Sequence, residues 1–368
     1  MTVPLKRWAE AQQKIDMVGP LTVALRVSAR PSLGSTVSAI DFVPFGSPLF
    51  PVALAVIAGV VWTYLRGTAR PGLVRERVGV LRHALFTAGI ILLAIALIGP
   101  LAGAGQRLFA AHQLQHLLIR LLGPMLIVLA HPWPVLRAGL PRDARRGLNR
   151  ISQTPAAQFA SRILTRLDVS FVLLFYALYL WQVPALHNAA VTMQSLAVFA
   201  HMCMALVGLN FFAVVFDRRD APQGAVQSLR LLALVGVILS NILLGSLTTM
   251  KEVVLYTAYD IAGRLWSFAP MADEATGGYT IWVPSSFVII AAIIVVFNGW
   301  NAAEVRRWNA RNDWSGSNAA ALEFPETAFE LRLKVTDPNR RMGRTLALVS
   351  AAMFATVFIT GATIIYAL

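Results

Sequence analysis

Cysteine is nearly absent: Cys203 stands alone in 368 residues, so no internal disulfide can form. Charge is scarce as well. Asp, Glu, Lys and Arg supply 14% of the chain, against about a quarter in a soluble globular domain. Apolar residues make up 57%, and the mean hydropathy is +0.63. A soluble domain is excluded, and the chain reads as an integral membrane protein. Acid is the rarer sign, with 18 Asp+Glu against 32 Lys+Arg and a formal charge of +14. In a soluble protein that excess would suggest nucleic acid. Here most positive charges fall between apolar segments, where they set orientation and meet anionic lipid headgroups. No motif supports a basic groove, so nucleic acid is set aside as a partner. No phosphate loop, nucleophile elbow or zinc-protease motif occurs, which leaves no enzyme signature. The N-terminus lacks signal-peptide form, because Lys6, Arg7, Glu10, Lys14 and Asp16 precede a short apolar stretch that Arg26 and Arg30 interrupt.

What is present is a series of long apolar runs. Eight candidate spans lie near 48–66, 83–101, 109–130, 168–186, 194–216, 229–249, 281–300 and 345–367. Each approaches the ~20 residues needed to cross ~30 Å of hydrocarbon. The expected fold is all-α, a polytopic transmembrane bundle with a seven-span core at 48–300 and one further C-terminal span at 345–368. Residues 1–47 read as a tail or surface helix, and 301–344 as a polar cytoplasmic loop. Arginines concentrate in alternate loops: Arg66 to Arg82, Arg137 to Arg166, Arg218 and Arg219, and the 301–344 stretch. The positive-inside rule makes those loops cytoplasmic and both termini extracytoplasmic, in a bacterial plasma membrane. The basic N-terminal tail is the one segment that argues the other way.

His112 and His116 sit one helical turn apart inside the third run, which places both imidazoles on one helix face. Arg120 continues the same row. Ionisable groups at membrane depth are costly and usually face a bundle interior. His201 lies in the fifth run at a comparable depth on the expected topology. Three neutral imidazoles from two helices form a site suited to Cu(I), and Met204, near the His201 face at i+3, offers soft sulfur. Met193, Met250 and Met271 are placed along an outer approach, and His187 falls at the outer end of the fourth span. Arg120 needs a partner if buried, with Asp260, Asp273 or a substrate anion as candidates. The plainer reading is that the histidines bond to backbone or hydroxyl groups and hold helices together. Cys203 points away from the His201 face and reads as packing.

At these residues the chain resembles the CtaG-type polytopic family of caa-type cytochrome c oxidase assembly factors. The likeness runs through His112-Gln-Leu-Gln-His116, Gly123-Pro124 and His131-Pro132-Trp133. It continues in Trp181-Gln-Val-Pro184, in Asp273-Glu-Ala-Thr-Gly277-Gly278, and in Trp282-Val-Pro284. It covers roughly residues 48–300. The resemblance implies a non-enzymatic factor that supplies copper, as Cu(I), to the CuB centre of a haem-copper oxidase subunit. It implies His112, His116, His201 and Asp273 as functional residues. An extracytoplasmic copper donor and membrane lipid are the further partners expected. Two departures stand out: Gln182 occupies a position where the family usually has histidine, and the eighth span extends beyond the usual core. Three other readings compete. One is a stable accessory subunit of a respiratory complex, one is a b-type haem protein with His116 and His201 as axial ligands, and one is a transporter, for which no inverted repeat is visible.

Overall fold

The computed structural model describes residues 50–70, 79–219, 224–312, 340–349, 351–353 and 355. The chain divides into two compact units; all described residues belong to Phe42–Leu368, and Met1–Asp41 lies outside them. The described residues contain helices and no strand. In lipid this is the expected outcome, since a helix satisfies its own backbone polar groups where water cannot.

Helix α1 spans Phe50–Thr68, α2 Val80–Leu97 and the short α3 Pro100–Ala104. The third run forms α4, Phe109–Leu117, a π-turn at Leu118–Leu122, and α5, Gly123–Leu129. The basic stretch after it is also helical, as α6 Trp133–Gly139, α7 Arg142–Ser152 and α8 Pro155–Leu164. Then come α9 Leu167–Tyr179 with a 3-10 end at Leu180–Gln182, α10 Pro184–Thr192, α11 Gln194–Val215 and α12 Gln227–Met250. A connecting segment carrying α13, Ala258–Ala262, leads to the long α14, Pro270–Asn312. Six helices are long and apolar enough to span a membrane, or seven if α8 and the α9 segment, bent by 78°, count as one. The protein is therefore a multi-pass membrane protein.

Three sequence expectations change in detail. The fourth run stops as a helix at Gln182, and Pro184 opens α10, where its missing N–H costs nothing. His187 therefore sits on a separate short helix. The seventh span, expected at 281–300, begins instead at Pro270, so Asp273 through Gly278 lie on the helix and not in a loop before it. The polar 301–344 stretch starts as a continuation of α14 to Asn312. Residues 340–349 and 351–353 are helical. The tail 1–47, residues 313–339 and most of the expected eighth span fall outside the described residues.

The span from Phe109 to Leu129 is central: 67% of it is buried, against 11% for α1. Peripheral helices turn apolar residues both ways. On α11, Ala200, Met204, Phe211 and Phe212 pack inward, while Phe199, Met202 and Leu206 are exposed to the lipid side. Two glycine positions permit the closest helix contacts. A Cβ on Gly277 would lie 2.2 Å from the Phe109 ring, and one on Gly278 would lie 2.5 Å from Thr249 Oγ1, which lets α14 dock on both α4 and α12. A Cβ on Gly208 would meet the Arg120 carbonyl at 2.1 Å, so α11 rests directly on the π-turn. Small residues at such crossings are the usual means of bringing membrane helices together.

Candidate metal centre

The site begins with the capping of α4. Leu108 precedes its first turn and has no side-chain oxygen to offer the free N–H groups. Asp273, from the first turn of α14, supplies it: Oδ2 accepts from Phe109 N at 2.8 Å and Oδ1 from Ala110 N at 2.9 Å. A carboxylate at a helix N-terminus also complements the helix dipole. Arg264 pairs with the same carboxylate and with Asp260 at 2.8 Å. Glu274, next in sequence, accepts from Leu255 N and Tyr256 N and pairs with Lys251. The segment between α12 and α14 is thus bound down over the start of α4.

Helical spacing then brings His112 and His116 inward one above the other, with ring centroids 4.3 Å apart. His201 arrives from α11, 6.0 Å from the His112 ring and 5.5 Å from the His116 ring. One nitrogen from each of the three lies within 4.8 Å of the others. His112 Nδ1 lies 3.0 Å from the Gly105 carbonyl. A carbonyl only accepts, so Nδ1 carries the proton and Nε2 keeps a lone pair. His201 Nε2 is buried with no hydrogen-bond partner among the described residues.

His187 lies in the same group of rings, 4.8 Å from His112. Both of its nitrogens are engaged. Nδ1 donates to the Trp181 carbonyl at 2.9 Å, and Nε2 accepts from the Tyr259 hydroxyl at 2.7 Å. Burial, reinforced by Asp273, pushes the Tyr259 phenol well above its ordinary pKa, so it stays a donor. His187 therefore reads as a wall of the site, since its N–H is given to Trp181 and its one lone pair accepts from Tyr259. A cavity of about 10 Å³ is enclosed by His112, His116, His187, His201, Trp181 and three alanines. Ligand pockets for larger groups run to ~300–1,000 Å³, far above this volume.

A second cavity, also about 10 Å³, lies on the other side of His116 and is lined by Gln113, Arg120, Gln182, Met204 and Thr280 among others. Met204 is buried there and is not among the residues lining the histidine cavity. Gln182 and Gln113 bond reciprocally, at 2.6 and 3.4 Å, and the Tyr256 hydroxyl donates to the Gln182 carbonyl at 2.9 Å. Asp273, expected as a ligand or an approach residue, has both oxygens taken up in the α4 cap and in Arg264. Neither it nor Asp260 reaches Arg120, whose one side-chain hydrogen bond among the described residues is to Asn241. Met193 and Met250 are exposed. His83 sits on α2 beside Tyr64, and His131 follows the C-cap of α5 with a positive φ of 48°.

Sequence reasoning did not single out Tyr256, Tyr259, Arg264 or Lys251. Two tyrosines and four charges in an apparent loop, followed by an Asp-Glu pair, were the available signal. Opposite charges in such numbers can neutralise one another and fold inward.

Fold and site together define a polytopic helical membrane protein with a cluster of three histidines, two of them buried, inside its bundle. The chain belongs to the cytochrome c oxidase caa3 assembly factor family (Caa3_CtaG), whose model matches residues 20–303. Among curated proteins it is similar to Uncharacterized protein Mb0105 of Mycobacterium bovis and Uncharacterized protein MT0111 of Mycobacterium tuberculosis. Each is 25% identical over 217 residues, covering 57% of this chain and 32% of the relative. The chain thus spans about a third of the length of the curated relatives it matches. No solved structure matches it.

Proposed function

We propose that the protein serves assembly of a haem-copper cytochrome oxidase by holding Cu(I) at His112, His116 and His201 and passing it to the CuB site. The observation that supports this reading is the meeting of three imidazoles, His112 and His116 buried and His201 half-buried, with ligand nitrogens within 4.8 Å of one another and no carboxylate in the cluster among the described residues. A trigonal ion with bonds near 2.0 Å wants nitrogens about 3.5 Å apart, a closure within reach of small side-chain rotations. Neutral imidazoles suit a soft monovalent ion. The hydrogen bond from His112 Nδ1 to Gly105 fixes one ring with Nε2 inward, the usual outer support of a metal-bound histidine.

Copper is the cargo here. Exchange of one imidazole at a time would move it laterally into an oxidase subunit without exposing a bare ion to lipid. The distribution of basic loops supports a topology with the histidine end on the extracytoplasmic side of a bacterial plasma membrane, where a copper donor would load it.

Metal analysis after anaerobic Cu(I) loading tests the reading. Wild-type protein should retain about one copper per chain, and His116→Ala and His201→Ala should each retain less than about a tenth of that. Wild type that holds no copper would overturn the proposal and leave the accessory-subunit reading ahead.

A further inference from the structure

Three guanidinium groups are buried among the described residues, and two are fully compensated. Arg264 is held by Asp260 and Asp273. Arg230 donates to the carbonyls of Val215, Asp217, Arg219 and Ala225 where the chain turns into α12. Arg120 differs from both. It is 4% exposed, in the middle of the most buried span. Its one hydrogen bond among the described residues runs from Nη2 to Asn241 Oδ1, and at 3.4 Å it is long. No carboxylate among the described residues pairs with it, and two donors of this bonded pair, Arg120 Nε and Asn241 Nδ2, are buried without partners.

The backbone explains why Arg120 is held there. Pro124 has no N–H, so the Arg120 carbonyl loses its usual partner four residues on. The helix widens instead, and Gly123 N–H bonds back to the Leu118 carbonyl. Gly208 of α11 fills the space over the freed carbonyl. Such π-turns occur often at functional sites. This one fixes a positive charge with spare donors beside a small cavity that His116 also lines.

We propose that Arg120 and Asn241 bind a small monovalent anion of the halide class, chloride under cellular conditions, beside the cavity below His116. The adjoining space, about 10 Å³ and lined by Arg120 but not by Asn241, is small enough to limit the ion to a single atom, and the lining side chains must give way to admit it. Sulfate and phosphate are too large, and their charge exceeds what one guanidinium offsets. The sign follows from the donors. A water would satisfy the N–H groups and leave a bare cation in an apolar span, whereas an anion answers both needs. Gln113 and Gln182 bond to each other and so do not compete for the guanidinium. The anion would also temper the repulsion between Arg120 and a cation held by His116. That consequence rests on the copper reading; anion binding does not.

The test uses metal-free protein in detergent, with radiolabelled chloride measured by equilibrium dialysis at constant ionic strength, gluconate replacing chloride. Wild type should bind saturably, near one chloride per chain, with displacement by bromide and none by sulfate. Asn241→Asp supplies a fixed carboxylate to Arg120, and should give a folded protein whose chloride binding falls at least tenfold; Arg120→Gln should lose it as well. Absence of saturable binding in wild type would overturn the proposal and leave a single water at the pair. Undiminished binding in folded Asn241→Asp would overturn it too, by placing the chloride elsewhere. Should Arg120→Gln fail to fold, the wild-type isotherm and Asn241→Asp still decide. Because copper is absent throughout, failure of the copper reading leaves this result intact.

Discussion

Two cavities of similar size meet at His116, and their linings have opposite chemistry. The one toward Gly105 is walled by imidazoles, with a lone pair held ready on His112. The one toward the middle of the span is bordered by N–H donors, with a guanidinium as its only formal charge among the described residues. On the two proposals made above, the first takes a cation and the second adjoins an anion. They are separated by a single turn of one helix. A regular α-helix would keep His116 and Arg120 in one row, facing much the same surroundings. The π-turn after Leu117 breaks that equivalence, because widening the helix changes what the next turn faces.

The largest effect on this contrast should come from outside both cavities. Asp273→Ala removes the cap of α4 and leaves Arg264 buried with a weaker set of partners. Breaking a buried ion pair costs about 3–5 kcal/mol; Asp260 and Glu274 remain near Arg264, so the lower end is expected. Thermal unfolding in detergent should fall steeply, and copper retention with it. If Asp273→Ala unfolded like wild type and bound no copper, Asp273 would be a ligand and the cap would be energetically idle.

His116→Leu separates the cavities next. The imidazole lines both, yet only the upper one depends on its lone pair. Copper affinity should fall by about two orders of magnitude, roughly 2.7 kcal/mol, while chloride binding stays within a factor of a few. Parallel loss of both would show that the two cavities work as one site.

Gly208→Ala acts through geometry alone. Its new Cβ would meet the Arg120 carbonyl at 2.1 Å, so α11 must retreat and carry His201 with it. Overpacking of this kind costs about 1–3 kcal/mol. Copper affinity should drop although no ligand has changed. A stability loss without any change in copper affinity would mean that α11 tilts about His201 and does not shift.

These residues show what could be read from the sequence and what could not. The pairing of His112 with His116 was legible because i, i+4 adjacency is local geometry. His201 was placed near them only through topology, on a count of eight spans; six helices among the described residues, or seven with the bent pair as one, are long and apolar enough to cross. Asp273 was assigned to a loop because an Asp-Glu pair looks too polar to open a membrane helix. Its charge is cancelled by Arg264, and that of Glu274 by Lys251, across folds of chain that periodicity does not register. The π-turn was also invisible as a structure, although Pro124 was its visible cause. Gln182 marked a departure from the family pattern. Its reciprocal bonds with Gln113 show two amides closing on each other beside the anion cavity, where an imidazole would have met Gln113 instead.

The smallest expected effect belongs to Tyr259→Phe, and it separates a wall from a ligand. The hydroxyl donates to His187 Nε2 at 2.7 Å, and Nδ1 of the same ring donates to Trp181. Removing the hydroxyl leaves one buried acceptor unpaired, a loss of about 1–2 kcal/mol, and frees the His187 lone pair beside the histidine cavity. If His187 only supports the cluster, unfolding shifts modestly and copper is held as in wild type. If the phenol keeps His187 out of the metal shell, the freed imidazole becomes a fourth ligand. Copper is then released more slowly to a competing chelator, and His187→Ala in the Tyr259→Phe background restores the wild-type rate. The geometry favours the first outcome, because the Trp181 carbonyl holds the ring in place from the opposite side.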